Sequence, residues 1–157
     1  MVRVCFVCLG NICRSPTAEG MMRSLLEDRG IDSVHVESAG TSGWHVGERP
    51  DPRARAAAAS RAVNIDGQAQ HFRAADFKRF DYVLALDASN QKDLLGLTSD
   101  EAQRAKVKLF LDFSAEHQGQ DVPDPYYGGA TGFEHVLDLC ESACIGLLEH
   151  MSAHGDL

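Results

Sequence analysis

Val2-Arg3-Val4-Cys5-Phe6-Val7 leads directly into Cys8-Leu9-Gly10-Asn11-Ile12-Cys13-Arg14-Ser15-Pro16. The first six residues form a short apolar, β-branched run, the pattern of a strand buried on both faces. The Cys8–Ser15 stretch has the make-up of a loop. From Pro16 to about Asp28 the pattern is helical, with Ser15 placed as the N-cap and Gly30 as the stop. Strand, tight loop and helix in that order begin a βαβ unit.

The alternation continues outward. Val34–Ser38 reads as a second strand, followed by a loop over Gly40–Arg49 with three glycines. Asp51 is placed to cap a helix that starts at Pro52 and runs into the Ala- and Arg-rich stretch Arg53–Ala62. Tyr82–Leu86 reads as a third strand, Ser89–Leu95 as a short helix and Val107–Leu111 as a fourth strand. Gln118–Gly132, rich in Gly, Pro and Asp, is a loop. Phe133 to about Met151 is a final amphipathic helix, with Phe133, Val136, Leu137, Cys140, Cys144 and Leu148 at helical spacing. The predicted class is α/β: a four-stranded parallel open sheet with helices on both faces, of the flavodoxin or Rossmann type, in a single domain over 1–157. Right-handed crossovers gather the strand C-terminal ends on one edge, where open α/β sheets bind ligands near a switch in strand order. The Cys8–Ser15 loop falls at that edge.

Composition narrows the function. The length of 157 residues suits one core and excludes a large multidomain enzyme. A formal charge of −8 argues against broad binding to nucleic acid or to an anionic membrane. No apolar run approaches the roughly 18–20 residues of a membrane span, and the apolar start is too short for a secretory leader. Five cysteines, an odd number, do not read as a disulfide framework, so a cytoplasmic location is expected.

The loop carries the chemistry. Wrapped between a strand end and a helix start, its backbone N–H groups turn inward and form a nest for a doubly charged oxyanion. Gly10 permits a backbone conformation with positive φ, and Asn11 tolerates one better than most residues. Arg14, six positions after Cys8, can fork two donors onto two phosphate oxygens. Inward amides, helix dipole and Arg14 together favour the Cys8 thiolate, the nucleophilic form. The Ser15 hydroxyl is placed to stabilise the sulfur by a hydrogen bond. Cys13, beside Cys8 in the loop, is a candidate partner for a reversible Cys8–Cys13 disulfide that protects the nucleophile from over-oxidation. Cys5 and Cys8 form a C-x-x-C, but the strand between them should keep the sulfurs apart, so neither zinc nor a redox pair is expected there. Cys140 and Cys144 are expected in the core. His150 and His154 are expected to be solvated near a fraying terminus.

The stretch Cys8-Leu9-Gly10-Asn11-Ile12-Cys13-Arg14-Ser15 strongly resembles the signature of the low-molecular-weight protein tyrosine phosphatase family, a Cys, five residues and Arg-Ser near the N-terminus. The resemblance extends through Glu37-Ser38-Ala39-Gly40-Thr41, Trp44-His45-Val46-Gly47, Pro50-Asp51-Pro52-Arg53, Leu86-Asp87-Ala88-Ser89-Asn90 and Val122-Pro123-Asp124-Pro125-Tyr126-Tyr127-Gly128-Gly129. It spans nearly the whole chain. It implies a phosphotyrosine phosphatase acting through a phosphocysteine, with Cys8 as nucleophile, Arg14 and the loop amides as phosphate ligands, and Asp124 as general acid. From its tripeptide alone Asp124 would read as an ordinary Asp-Pro turn.

By the same resemblance the walls of an aromatic slot are Leu9, Ile12, Trp44 and Tyr126, with His45 at the rim. Asn11 and Ser38 brace the loop, and Asp87 and Asn90 resemble a second supporting segment. One departure is visible: where the family often has a His, the run Gly67-Gln68-Ala69-Gln70-His71 places Gly67, and His71 is displaced.

No metal or other cofactor is implied. The implied partner is a phosphotyrosine-containing protein, with an autophosphorylating tyrosine kinase of a bacterial polysaccharide-export system as a candidate; the sequence sets no oligomeric state. Tyr126 and Tyr127 are themselves candidate phosphorylation sites at the pocket mouth.

Three other readings compete. Arsenate reduction requires relay cysteines, and the distant pair Cys140 and Cys144 lies on a predicted helix. Related protein arginine phosphatases carry Thr where this chain has Ile12, and an apolar Ile suits a phenyl ring better than a guanidinium. A silent phosphate-binding module would not need the intact set of Cys8, Arg14 and Asp124.

Overall fold

The opening run forms β1 (Val2–Cys8), one residue longer than its apolar pattern. The structure, a computed structural model, describes residues 1–126 and 128–157. β1 lies between β2 (Val34–Gly40) and β3 (Tyr82–Ala85), and β3 carries β4 (Val107–Leu109) on its far side. All three pairings are parallel, so among the described residues the sheet is four-stranded with the order β2-β1-β3-β4. The chain steps from β1 to one side for β2 and to the other for β3. The switch point therefore falls at the C-terminal end of β1.

The period of two along β1 builds two cores. Val4, Phe6 and Cys8 face α1 (Arg14–Asp28) and α5 (Ala130–Ala153), and join Met22, Leu137, Cys140, Cys144 and Leu147. Cys5 and Val7 face the opposite side and join Phe72, Phe77, Phe80 and Leu94, the last from α3 (Ala88–Leu95). The C-x-x-C pair is thereby split between two cores, because residues three apart on a strand point to opposite faces. Cys140 and Cys144 are fully buried, as expected.

The boundaries follow local chemistry. α1 ends in a Schellman turn: Gly30 takes φ 65°, and Ile31 N–H reaches Leu26 C=O at 2.9 Å. α2 (Pro52–Ala59) begins as expected, with Pro52 in its first turn and the Asp51 carboxylate accepting from Arg53 N–H at 2.8 Å. α1 differs. It starts at Arg14 with Cys13 at the cap position, and Ser15 lies inside its first turn. The Ser15 hydroxyl is drawn off the helix end by Cys8 and Asn11, while Thr17 Oγ1 donates to Cys13 C=O at 2.7 Å.

β3 and β4 are shorter than the apolar runs that announce them. After Leu109 the chain winds into a 3-10 turn (Phe110–Phe113), which seats Phe110 edge-on against Phe6 with centroids 4.9 Å apart. A second 3-10 turn (Ala74–Lys78) and the four-residue α4 (Glu101–Arg104) carry no apolar period that would announce them.

The C-terminal end of α5 is tied down rather than frayed. His150 sits edge-on to Tyr82 and Phe113 and stacks on His154 at 4.0 Å, and Tyr82 Oη donates to Asp156 at 2.6 Å. Burial and the neighbouring His154 lower the His150 pKa. His154 is exposed, as expected, but His150 is partly buried, because Tyr82 and Phe113, remote in sequence, supply it an aromatic seat.

Gly146 is where α5 passes closest to the 3-10 turn: a Cβ there would stand 1.7 Å from the Phe113 carbonyl oxygen. Gly146→Ala must therefore push the helix off the 3-10 turn, and should cost about 3 kcal/mol of unfolding free energy in urea. A loss below about 1 kcal/mol would show that the contact is soft.

Candidate functional site: a phosphate cradle at the end of β1

The loop after β1 is shaped by one residue. Of the two residues able to take a positive φ, Asn11 does so, at 59°, and Gly10 stays outside the left-handed region. Asn side chains tolerate that conformation because they hydrogen-bond locally. A Cβ on Gly10 would lie 3.0 Å from His45 Cδ2, so the bare glycine leaves room for the His45 ring. The turn at Asn11 directs its N–H onto Cys8 Sγ at 3.2 Å. Its Nδ2 donates to Ser15 Oγ at 2.8 Å and to Ser38 Oγ at 2.9 Å, while its Oδ1 accepts from Gln70 N–H at 2.9 Å.

Ser15 Oγ lies 3.0 Å from Cys8 Sγ on the inner side of the loop. Cys8 is buried, 3% exposed, yet it lines the cleft. The cleft lies at the N-terminal end of α1, where the first-turn N–H groups of Arg14 and Ser15 have no partner within the helix and the helix dipole favours an anion.

Arg14 is 4% exposed, and its burial is matched by partners. Nη1 donates to Asp87 Oδ2 at 2.6 Å and to Val122 C=O at 3.0 Å. Burial opposes its charge, but the Cys8 sulfur and the Asp87 carboxylate outweigh it and raise the Arg14 pKa. Asp87 also caps α3, accepting from Asn90 N–H at 2.7 Å. A single carboxylate therefore joins the strand on the other side of the switch point to the cradle. Asp124 stands across the opening, its Oδ2 3.8 Å from Arg14 Nη2 and its Oδ1 accepting from Tyr126 N–H at 3.0 Å.

Cys8, Arg14 and Asp124 line one cleft of about 180 Å³ together with Leu9, Gly10, Asn11, Ile12, Cys13, Trp44, His45 and Tyr126. Of the expected site residues, Ser15, Ser38, Asp87 and Asn90 do not line the cleft; Ser15 and Ser38 act on the loop, and Asp87 on Arg14, through hydrogen bonds. Trp44 is 78% exposed, so its ring serves the cleft and not the core. The segment carrying it docks on the loop: Thr41 N–H reaches Cys8 C=O at 2.8 Å, and Ser42 N–H reaches Leu9 C=O at 3.0 Å. His45 Nδ1 pairs with Glu48 at 2.7 Å. Tyr127 lies outside the described residues.

The bracing position left empty by Gly67 is filled from elsewhere. Gln70 donates its backbone N–H to Asn11 and its Nε2 to Ser38 C=O at 2.9 Å, while His71 turns away to Thr41 C=O at 3.0 Å. Glu19, the Val122 carbonyl and Gln70 are the site's contributors that sequence reasoning missed. Only Glu19 left a signal: an acidic residue one turn after Ser15, on a helix face that is otherwise buried.

A profile of the low molecular weight phosphotyrosine protein phosphatase family matches residues 3–156. A low molecular weight protein-tyrosine-phosphatase from Streptomyces coelicolor is 48% identical over 149 residues, covering 93% of this chain and 91% of that one. A protein tyrosine phosphatase from Entamoeba histolytica, with Hepes in its active site, superposes with a TM-score of 0.93 at 37% identity over 100% of both chains. A Drosophila arginine phosphatase superposes with a TM-score of 0.85 at 30% identity, over 94% of this chain and 96% of that one. The chain belongs to the low molecular weight phosphotyrosine protein phosphatase family.

The thiols around the cleft are chemically separated. Burial first, then Asp51 and the Cys8 sulfur, pushes the Cys13 thiol up to about 12. Burial likewise raises Cys5, Cys140 and Cys144. A limiting amount of iodoacetamide at pH 7 should label Cys8 first, at least about tenfold faster than Cys13 by peptide mass spectrometry. Equal labelling of the two would contradict the neutral state of Cys13.

Proposed function

We propose that this chain hydrolyses phosphotyrosine in proteins, with Cys8 as nucleophile, Arg14 as phosphate ligand and Asp124 as general acid. The observation that carries the reading is Cys8 and Arg14 lining one cleft, with the Asn11 amide on the sulfur and the Asp124 carboxylate across the opening. A tetrahedral dianion seated on the amides presents phosphorus to the sulfur in line. Arg14 is already aligned by Asp87 and the Val122 carbonyl, so it stabilises the equatorial oxygens with little reorganisation as charge shifts. The sulfur–phosphorus bond forms as the bond to the phenol oxygen breaks, and the Asp124 proton goes to that oxygen. Asp124, now a carboxylate, takes a proton from the water that attacks phosphocysteine, and the thiolate departs toward the Ser15 hydroxyl.

The cleft walls support a ring as the leaving group. Leu9, Ile12, Trp44 and Tyr126 offer apolar and aromatic faces of the kind that bury a phenyl group. Ile12 is half-buried and packs on Cys13, Ala54 and Phe133, which holds its side chain in place at the slot. The buried, neutral Cys140 and Cys144 on α5 make poor relay thiols for arsenate reduction. The five cysteines are free, and a nucleophilic Cys8 needs a reducing compartment, so the cytoplasm is the proposed location. No helix among the described residues is long and apolar enough to cross a membrane. The partner proposed is a phosphotyrosine-bearing protein, with a bacterial tyrosine kinase as candidate. Cys13, in the same cleft, is the proposed disulfide partner of an oxidised Cys8.

Two experiments test this. Cys8→Ser should retain phosphotyrosine-peptide binding with no measurable turnover, and Asp124→Asn should lower kcat about 10²–10³-fold with little change in KM. Turnover in Cys8→Ser would remove the nucleophile from the account. The wild-type kcat/KM should favour a phosphotyrosine peptide over a phosphoarginine peptide by about 100-fold, and Ile12→Thr should narrow that ratio about tenfold. A preference for phosphoarginine would overturn the choice of substrate.

A further inference from the structure

Glu19 is largely buried on α1 one turn beyond Ser15, with its side chain 12% exposed. A carboxylate in that position is costly unless its oxygens are matched. Oε2 pairs with Arg23 Nη2 at 2.7 Å, and Oε1 accepts from Ser38 Oγ at 2.6 Å. Burial raises its pKa, while Ser38 and Arg23 act in the opposite sense. The other charged groups facing it are Glu37 and His35 on β2, and Asp66 across a polar cavity of about 210 Å³ behind the loop.

The inventory of protons fixes a direction. Ser38 has one proton, and the acceptor-only carboxylate of Glu19 takes it. Ser38 then meets Asn11 with lone pairs alone, so Asn11 Nδ2 must donate to it at 2.9 Å. The other Nδ2 proton goes to Ser15 Oγ at 2.8 Å. Gln70 N–H on Asn11 Oδ1 blocks the flipped amide. Ser15, already accepting, has one proton to place, with Cys8 Sγ at 3.0 Å nearer than Ala39 C=O at 3.4 Å. The chain has its acceptor-only end at Glu19 and delivers its last proton at the sulfur.

We propose that Glu19 is a positioning residue that sets the direction of the Ser38–Asn11–Ser15 hydrogen-bond chain and thereby holds the Ser15 proton on Cys8. The inference rests on the phosphatase reading above. A neutral amide at this position gives its one oxygen to Arg23 and turns a donor toward Ser38, which strands the Ser38 proton. A shortened carboxylate keeps the charge but withdraws the acceptor.

The test compares the full-length wild type with E19Q, E19D, S38A and E19Q/S38A, using the rate of Cys8 alkylation by iodoacetamide at pH 6 together with kcat and KM on a phosphotyrosine peptide. E19Q and E19D should each slow alkylation and lower kcat about threefold to tenfold, the range spanned by one hydrogen bond, with KM within about twofold. E19Q should add nothing to S38A. Loss of a negative charge alone would speed alkylation, so a faster or unchanged E19Q overturns the inference. So does E19D at the wild-type rate, which covers the case of E19Q failing to fold, and so does an E19Q effect of equal size in the S38A background. A wild-type protein without phosphotyrosine turnover overturns the phosphatase reading instead.

Discussion

The cradle depends on the single left-handed residue Asn11. A positive φ at this point bends the backbone so that the Asn11 amide turns back onto Cys8 while its side chain reaches out to Ser15, Ser38 and Gln70. Such a conformation costs a non-glycine residue on the order of 1–2 kcal/mol. Four hydrogen bonds through one residue, three of them to segments distant from the turn or to the helix start, offset that cost and make the turn rigid. Were the turn to relax, the amides would no longer converge and the sulfur would lose its donors together.

That rigidity bears on rate because the site carries its stabilising dipoles before substrate arrives. Arg14 is clamped by Asp87 and the Val122 carbonyl, which come from the two segments flanking the far side of the cleft. The guanidinium therefore answers to three parts of the chain at once: its own helix, the cap of α3, and the stretch leading to Asp124. A phosphate drawn into the cradle meets donors that need not reorganise, the condition under which such dipoles contribute most. The apolar part of the cleft has looser supports. Trp44 is held mainly by the docking of residues 41 and 42 on the loop, and His45 by Glu48.

Much of this was legible in the residues. The alternation of strand and helix, the Asp51-Pro52 start of α2 and the Gly30 stop of α1 are local signals, and local geometry obeys them. The convergence of Cys8, Arg14, Leu9 and Ile12 follows from one short loop, where spacing along the chain nearly equals position in space. Ser15 misled as a cap because its hydroxyl had two claimants, and the sulfur and the Asn11 amide outcompete the helix end. The reach of β4 was overestimated because an apolar run does not reveal whether Phe110 continues a ladder or turns in to meet Phe6.

The sequence by itself determined the strand–loop–helix unit, its anion-binding character and the identity of the groups at its centre, since these rest on backbone preferences and side-chain chemistry within a few residues. Only the tertiary structure decided what holds those groups still. Glu19 under Ser38, Gln70 on Asn11, Asp87 and Val122 on Arg14, and Phe113 and Tyr82 about His150 are all contacts between segments remote in the chain. Such partners are chosen by which surfaces the sheet order brings together. A donor or acceptor gives no sign, in the residues beside it, of what will face it across a core.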